Sequence, residues 1–88
     1  MIQYQGIWFP EVGTLTKALK ARLDEEGHYR LDRLHEALAE VKSFGRVIEC
    51  GAHVGSWTRA LAVAFTEVLA IEPHPDNYRC LVKNTENL

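Results

Sequence analysis

The sequence predicts an α/β fold: a parallel βαβ unit preceded by two helices. Two observations carry this. The short apolar runs Val47-Ile48-Glu49-Cys50 and Val68-Leu69-Ala70-Ile71 are each closed by a chain breaker, Gly51 after the first and Pro73 soon after the second. Between them, Ser56 to Phe65 has helical spacing, with Trp57, Leu61 and Ala64 or Phe65 on one side. Strand, glycine turn, helix and strand in that order make a unit whose strands run parallel with a right-handed crossover. Both runs read as buried strands, Arg46–Cys50 and Glu67–Glu72. A last helix is predicted over 75–84, with Pro75 at its first position and Tyr78, Leu81 and Val82 inward.

Residues 1–45 read as an N-terminal arm and two helices, and 46–88 as the start of a domain that opens with the βαβ unit. Met1 to Val12 is aromatic and lacks a helical period, so it reads as an extended arm over part of the core. A helix is predicted from Thr14, as N-cap, to about Glu25, with Leu15, Leu19 and Leu23 at four-residue steps and Gly27 ending it. A second helix is predicted from Leu31 to Lys42, with Leu31, Leu34, Leu38 and Val41 on one face. Asp32, Arg33, Glu36 and Glu40 then lie on its solvated side.

Composition narrows the function classes. Among the 88 residues, 47% are hydrophobic and 25% charged, with a formal net charge of −2, which is ordinary for a globular chain. Nucleic acid or an anionic membrane would favour a basic surface, so neither is expected as a partner. Two cysteines, Cys50 and Cys80, do not make a disulfide framework and read as reduced thiols in a cytoplasmic protein. No signal peptide is visible, and the longest apolar stretch, Ala60 to Phe65, is far too short to span a bilayer.

The informative segment is Glu49-Cys50-Gly51-Ala52-His53-Val54-Gly55-Ser56-Trp57-Thr58. Gly51 ends the first strand and Gly55 precedes the helix. Glycines there let the backbone turn tightly and let a ligand approach it. The helix N-terminus then offers free N–H groups to a negative group. Glu72 ends the second strand, 21 residues after Gly51. A carboxylate at that place accepts hydrogen bonds from ribose hydroxyls. A dinucleotide fingerprint needs G-x-G-x-x-G, and two of its three glycines are missing. Glu49 discriminates further. Its charge would repel a pyrophosphate and attract the ammonium and sulfonium of S-adenosyl-L-methionine.

Val47 through Thr58 resembles motif I of FkbM-type methyltransferases. Glu72-Pro73-His74-Pro75-Asp76-Asn77-Tyr78, continuing to Leu81 and Asn84, resembles the segment that follows it in that family. The E-P-x-P-x-N-x-x-x-L-x-x-N spacing is the more specific of the two, and the resemblance covers Tyr29 to Leu88. It implies a truncated Rossmann-like methyltransferase fold. It places Glu49, Gly51, Ala52, His53 and Gly55 around the methionyl part of S-adenosyl-L-methionine, and Glu72, followed by Pro73, at the ribose. It implies O-methylation of a small or sugar acceptor. The chain departs from the family in having Glu49 where Asp is usual and His53 where many methyltransferases have glycine. It also stops at Leu88, before the later strands and the acceptor pocket.

The expectation is therefore an N-terminal methyltransferase fragment inactive alone, with no catalytic residue assignable. The alternative is a non-catalytic remnant or a split-enzyme module needing a partner chain. Either expects self-association or a partner that completes the sheet. Among Cys50, His53, His74 and Cys80, the Cys50-x-x-His53 spacing is tolerable for zinc, but no second close pair exists and Cys50 reads as part of a buried strand. His53 is weighed as a general base and read instead as a turn residue. Trp57, with Leu61 four residues on, reads as core packing.

Overall fold

The predicted βαβ unit is present in a computed structural model describing residues 1–88. In chain order the elements are β1 (Ile2–Tyr4), β2 (Ile7–Phe9), α1 (Lys17–Arg22), α2 (Leu31–Leu38), β3 (Arg46–Cys50), α3 (Ser56–Ala64), β4 (Glu67–Ile71) and α4 (Pro75–Thr85). β3 and β4 form a parallel two-stranded sheet with Val47 opposite Val68, Ile48 opposite Leu69 and Cys50 opposite Ile71. β1 and β2 form a separate antiparallel hairpin. The protein is thus an α/β fold with a small parallel sheet and packed helices. No helix is long and apolar enough to cross a membrane.

Side chains alternate across a strand, and here the two faces of the sheet differ. Val47 and Val68 pack against a cluster of Leu34, Leu61 and Phe65, which joins α2 to α3. Ile48, Leu69 and Ile71 point away and remain 64%, 59% and 46% exposed. The strands expected to be buried are therefore covered on one face only. A continuous apolar run signals burial on both faces, and it does not reveal which face this chain's own helices cover.

The N-terminal arm contributes core rather than a cover. Gln5 and Gly6 both have positive φ, the backbone sense that matches hairpin twist. Ile7 and Phe9 are fully buried with Val54 and Cys80, and Leu15, Leu19 and Leu23 pack around them. Each of the two core clusters therefore joins residues from 1–45 to residues from 46–88.

Helix boundaries shift for local reasons. Thr14 closes a 3-10 turn by donating its hydroxyl to the Glu11 carbonyl, and Thr16 caps α1 by accepting from the Leu19 N–H. α1 ends at Arg22 because Leu23 turns extended and bridges to Tyr29. Between them the Asp24 carboxylate accepts from the Glu26 and His28 N–H groups. α2 stops at Leu38, short of the predicted Lys42. Pro75 opens α4 as expected, and Cys80 and Leu81 are buried on it. Tyr78 and Val82, predicted inward, are exposed.

Gly27 is required twice over. Its φ is +79°, and a Cβ there would lie 2.5 Å from both the Gln5 carbonyl oxygen and Ile7 Cγ1. Backbone cannot yield as a side-chain tip can. Gly27→Ala should therefore lower stability by about 2–4 kcal/mol, the combined scale of left-handed strain and overpacking. Gly13→Ala, with room at its Cβ and no positive φ, should stay within about 0.5 kcal/mol. Urea denaturation of the two variants checks the difference.

Candidate functional site

Because β3 and β4 are parallel, their C-terminal ends lie side by side, and the segments after both strands meet there. Gly51, His53 and Gly55 all take left-handed φ, at 73°, 56° and 92°. The turn doubles back over β4: the Gly51 and Ala52 N–H groups both donate to the Ile71 carbonyl, at 2.8 and 2.9 Å. Ala52 and Val54 point into the core, while Gly51 and His53 face solvent.

The two glycines have different jobs. Nothing lies within 4 Å of the position a Gly51 Cβ would take. That backbone is open to an approaching group. At Gly55 a Cβ would lie 2.7 Å from Leu81 Cδ1. Gly55, placed by the sequence reading near the methionyl part, is where α4 packs closely on the turn. Asn84 completes the contact. Its side-chain N–H₂ donates to the Val54 carbonyl at 2.7 Å and the Trp8 carbonyl at 3.0 Å, and its oxygen accepts from the Trp8 N–H at 2.8 Å.

Glu72 crosses from the end of β4 to the turn. One carboxylate oxygen accepts from the His53 N–H at 2.7 Å, and the other from the His74 N–H at 3.1 Å. Desolvation would raise its pKa, but these two donors, with the His53 ring nearby, hold the carboxyl below the ordinary glutamate range. Pro73 stands exposed between Glu72 and His74. The His74 ring accepts from the Asp76 N–H at 3.3 Å and caps α4.

Glu49 sits on the helix-facing side of β3, half-buried. Burial pushes its pKa up, against a hydrogen bond from the Thr58 hydroxyl on the first turn of α3. No Lys, Arg or His pairs with it. His53 is shifted down, chiefly by desolvation; Glu72 pulls it up and His74 pushes it down. The Ser56, Trp57 and Thr58 N–H groups at the start of α3 make no hydrogen bond within the chain. Glu49, the turn and Glu72 are thus brought to one end of the sheet, with a carboxylate on either side of a left-handed loop.

Sequence reasoning missed two supporting groups. Thr58 is one; its position nine residues after Glu49, on the inward side of a helix's first turn, is the signal for its contact with Glu49. Ser56 is the other. Its hydroxyl donates to the Gly27 carbonyl at 2.6 Å and accepts from the Tyr29 N–H at 3.1 Å. The Trp57 indole N–H also donates to the Tyr29 carbonyl, and the ring packs in the core as read from its spacing. Cys50, read as part of a buried strand, is exposed; Cys80 is buried. No protein-family model, curated protein or solved structure matches the chain.

The two carboxylates should titrate apart. Glu72, with its pKa depressed, stabilises the fold above its unfolded pKa and loses that contribution as pH falls through its folded value. Glu49 has the opposite sign: its raised pKa makes the protonated fold the favoured one, and this contribution is lost as pH rises through the folded value. Carboxyl-carbon NMR titration should find Glu49 titrating at higher pH than Glu72. The stability difference between wild type and Glu72→Gln should shrink on acidification below the ordinary glutamate range.

Proposed function

We propose that the chain binds S-adenosyl-L-methionine at the C-terminal ends of β3 and β4. It would be the cofactor-holding part of a Rossmann-like, FkbM-type methyltransferase acting on an oxygen of a small or sugar acceptor. The observation that carries this reading is the Glu72 carboxylate joined to the His53 amide of the glycine turn. A carboxylate has about four lone-pair directions. Two are used by the His53 and His74 backbone donors here, and the rest of the carboxylate can accept from the adjacent hydroxyls of a ribose.

The donor set suits that cofactor. Glu49 is half-buried with no cation of the chain beside it. Opposite charges about 4 Å apart attract by about 4 kcal/mol at an effective dielectric near 20, before desolvation is subtracted. An ammonium gains that attraction, and a pyrophosphate would be repelled. The open backbone at Gly51 leaves room for close approach. The free N–H groups of Ser56, Trp57 and Thr58 suit a carboxylate at a helix N-terminus. When bound, the cofactor supplies an electrophilic methyl group on a sulfonium. This chain's residues would hold its ammonium through Glu49, its carboxylate through the start of α3 and its ribose through Glu72. His53, exposed on the turn, would line the methionyl side.

One observation favours a second reading, a non-catalytic binding module or one part of a split enzyme. Ile48, Leu69 and Ile71 leave a sheet face uncovered, a surface that a partner chain would cover.

Calorimetry separates these ideas. Glu72→Ala should weaken S-adenosyl-L-methionine binding at least tenfold, since a hydrogen bond to a charged group contributes about 1.5–3 kcal/mol. Glu36→Ala, which removes an exposed charge on α2, should leave binding unchanged. Equal losses would sink the ribose assignment, and heat with NAD but none with S-adenosyl-L-methionine would sink the cofactor. Radiolabelled methyl transfer to mixed sugar acceptors then distinguishes enzyme from module. Turnover lost in Glu72→Ala supports the enzyme, and binding without turnover selects the module.

A further inference from the structure

Segments far apart in sequence meet in a ring around the turn between β3 and α3. Gly27 lies against the Gln5 carbonyl and Ile7 of the N-terminal hairpin. The Gly27 carbonyl accepts from the hydroxyl of Ser56, the first residue of α3, at 2.6 Å. Gly55, immediately before Ser56, packs on Leu81 of α4. Asn84, on the next turn of α4, returns to the hairpin at Trp8. Val54 lies within this ring, buried with Ile7 and Phe9.

Asn84 closes the ring with its whole amide. Such a side chain has two N–H donors and one oxygen acceptor. Here the nitrogen donates to the Trp8 and Val54 carbonyls, and the oxygen accepts from the Trp8 N–H. The two bonds to Trp8 fix which way the amide faces. A half-turn of the group would set its nitrogen against the Trp8 N–H and its oxygen against both carbonyls. The hairpin backbone therefore dictates that a donor, and not an acceptor, meets the Val54 carbonyl.

We infer that Asn84 is a positioning residue through which docking of the N-terminal hairpin and binding of the cofactor at the turn favour one another, a coupling that rests on the cofactor reading above. The binding turn needs His53 and both glycines in left-handed φ, and Val54 stands between His53 and Gly55. With the hairpin undocked, Asn84 loses both bonds to Trp8 and its amide is free to rotate. The Val54 carbonyl then loses its donor, and Val54 loses its packing against Ile7 and Phe9. A polar group left without its partner destabilises the conformation that strands it. Coupling between two sites is reciprocal, so a ligand that selects the ordered turn also tightens the hairpin. Two strands of three residues have little stability of their own, which leaves the hairpin responsive to this contact.

Hydrogen exchange at the Trp8 amide reads the coupling, because that N–H bonds the Asn84 oxygen. In the full wild-type chain, saturating S-adenosyl-L-methionine should slow Trp8 exchange at least fivefold more than exchange in α2, which is outside the ring. Asn84→Asp should abolish that difference. Aspartate keeps an acceptor for the Trp8 N–H and sets an oxygen against the carbonyls. A second arm uses no cofactor. The Gly55 N–H closes the turn on the Ala52 carbonyl at 2.9 Å. Asn84→Asp should speed Gly55 exchange at least tenfold more than exchange in the β3–β4 ladder. A Trp8 amide indifferent to bound cofactor would overturn the proposal, as would equal acceleration of Gly55 and the ladder, which marks a general loss of stability. Failure of the wild-type chain to bind the cofactor would count against the cofactor reading, and the cofactor-free arm would still decide whether the hairpin positions the turn.

Discussion

The arrangement at the end of the sheet depends on how the turn between β3 and α3 is held. Three residues in five take left-handed φ there, a costly shape for His53, which carries a Cβ. Such a loop persists only when its surroundings over-determine it. Four groups do so from three directions. The Ile71 carbonyl gathers the Gly51 and Ala52 N–H groups from below. Glu72 takes the His53 N–H from the side. Leu81 fills the space over Gly55, and Asn84 holds the Val54 carbonyl from α4. The turn is therefore preformed, and the N–H groups that remain unpaired, Ser56 to Thr58, are those of the helix start.

This explains why a glycine pattern and a distant proline-asparagine-leucine pattern occur in one chain. Pro75 sets the start of α4, and the His74 ring caps it. From that start, Leu81 and Asn84 fall three residues apart on the face that meets Gly55 and Val54. Asn84 also pairs with both backbone groups of Trp8, so the same side chain ties the N-terminal hairpin to the turn. Replacing it would leave backbone groups of two segments unpaired, a larger penalty than the loss of one ordinary hydrogen bond.

What was readable in the sequence divides along physical lines. The β3–α3–β4 order and the start of α4 were readable because chain breakers and local periodicity determine them. The clustering of Glu49, the turn and Glu72 followed from parallel strands, which bring two C-terminal ends together whatever the tertiary detail. The burial of Ile48, Leu69 and Ile71 was misread, because side-chain type reports preference for burial while coverage depends on where helices pack. The end of α1 was misread because Asp24 turns the backbone after Leu23 through side-chain hydrogen bonds that the spacing of Leu15, Leu19 and Leu23 does not register. The roles of Ser56 and Asn84 depend on contacts across 27 to 76 residues, and no local pattern announces those.

The two carboxylates show how one short sheet prepares two kinds of contact. Glu72 is bonded by backbone donors and is kept ionised; it has a fixed direction and spare lone pairs. Glu49 is half-buried, shifted toward its neutral form, and supported by one hydroxyl. A cation arriving beside Glu49 would oppose the effect of burial by stabilising the ionised form, drawing the Glu49 pKa back down. Glu72, held below the ordinary glutamate range, would accept hydrogen bonds from uncharged hydroxyls with little change of protonation. The difference arises from position alone. Glu49 lies within β3 with its side chain under α3, whereas Glu72 lies one residue beyond β4, where the chain has left the sheet and backbone N–H groups are free to meet it.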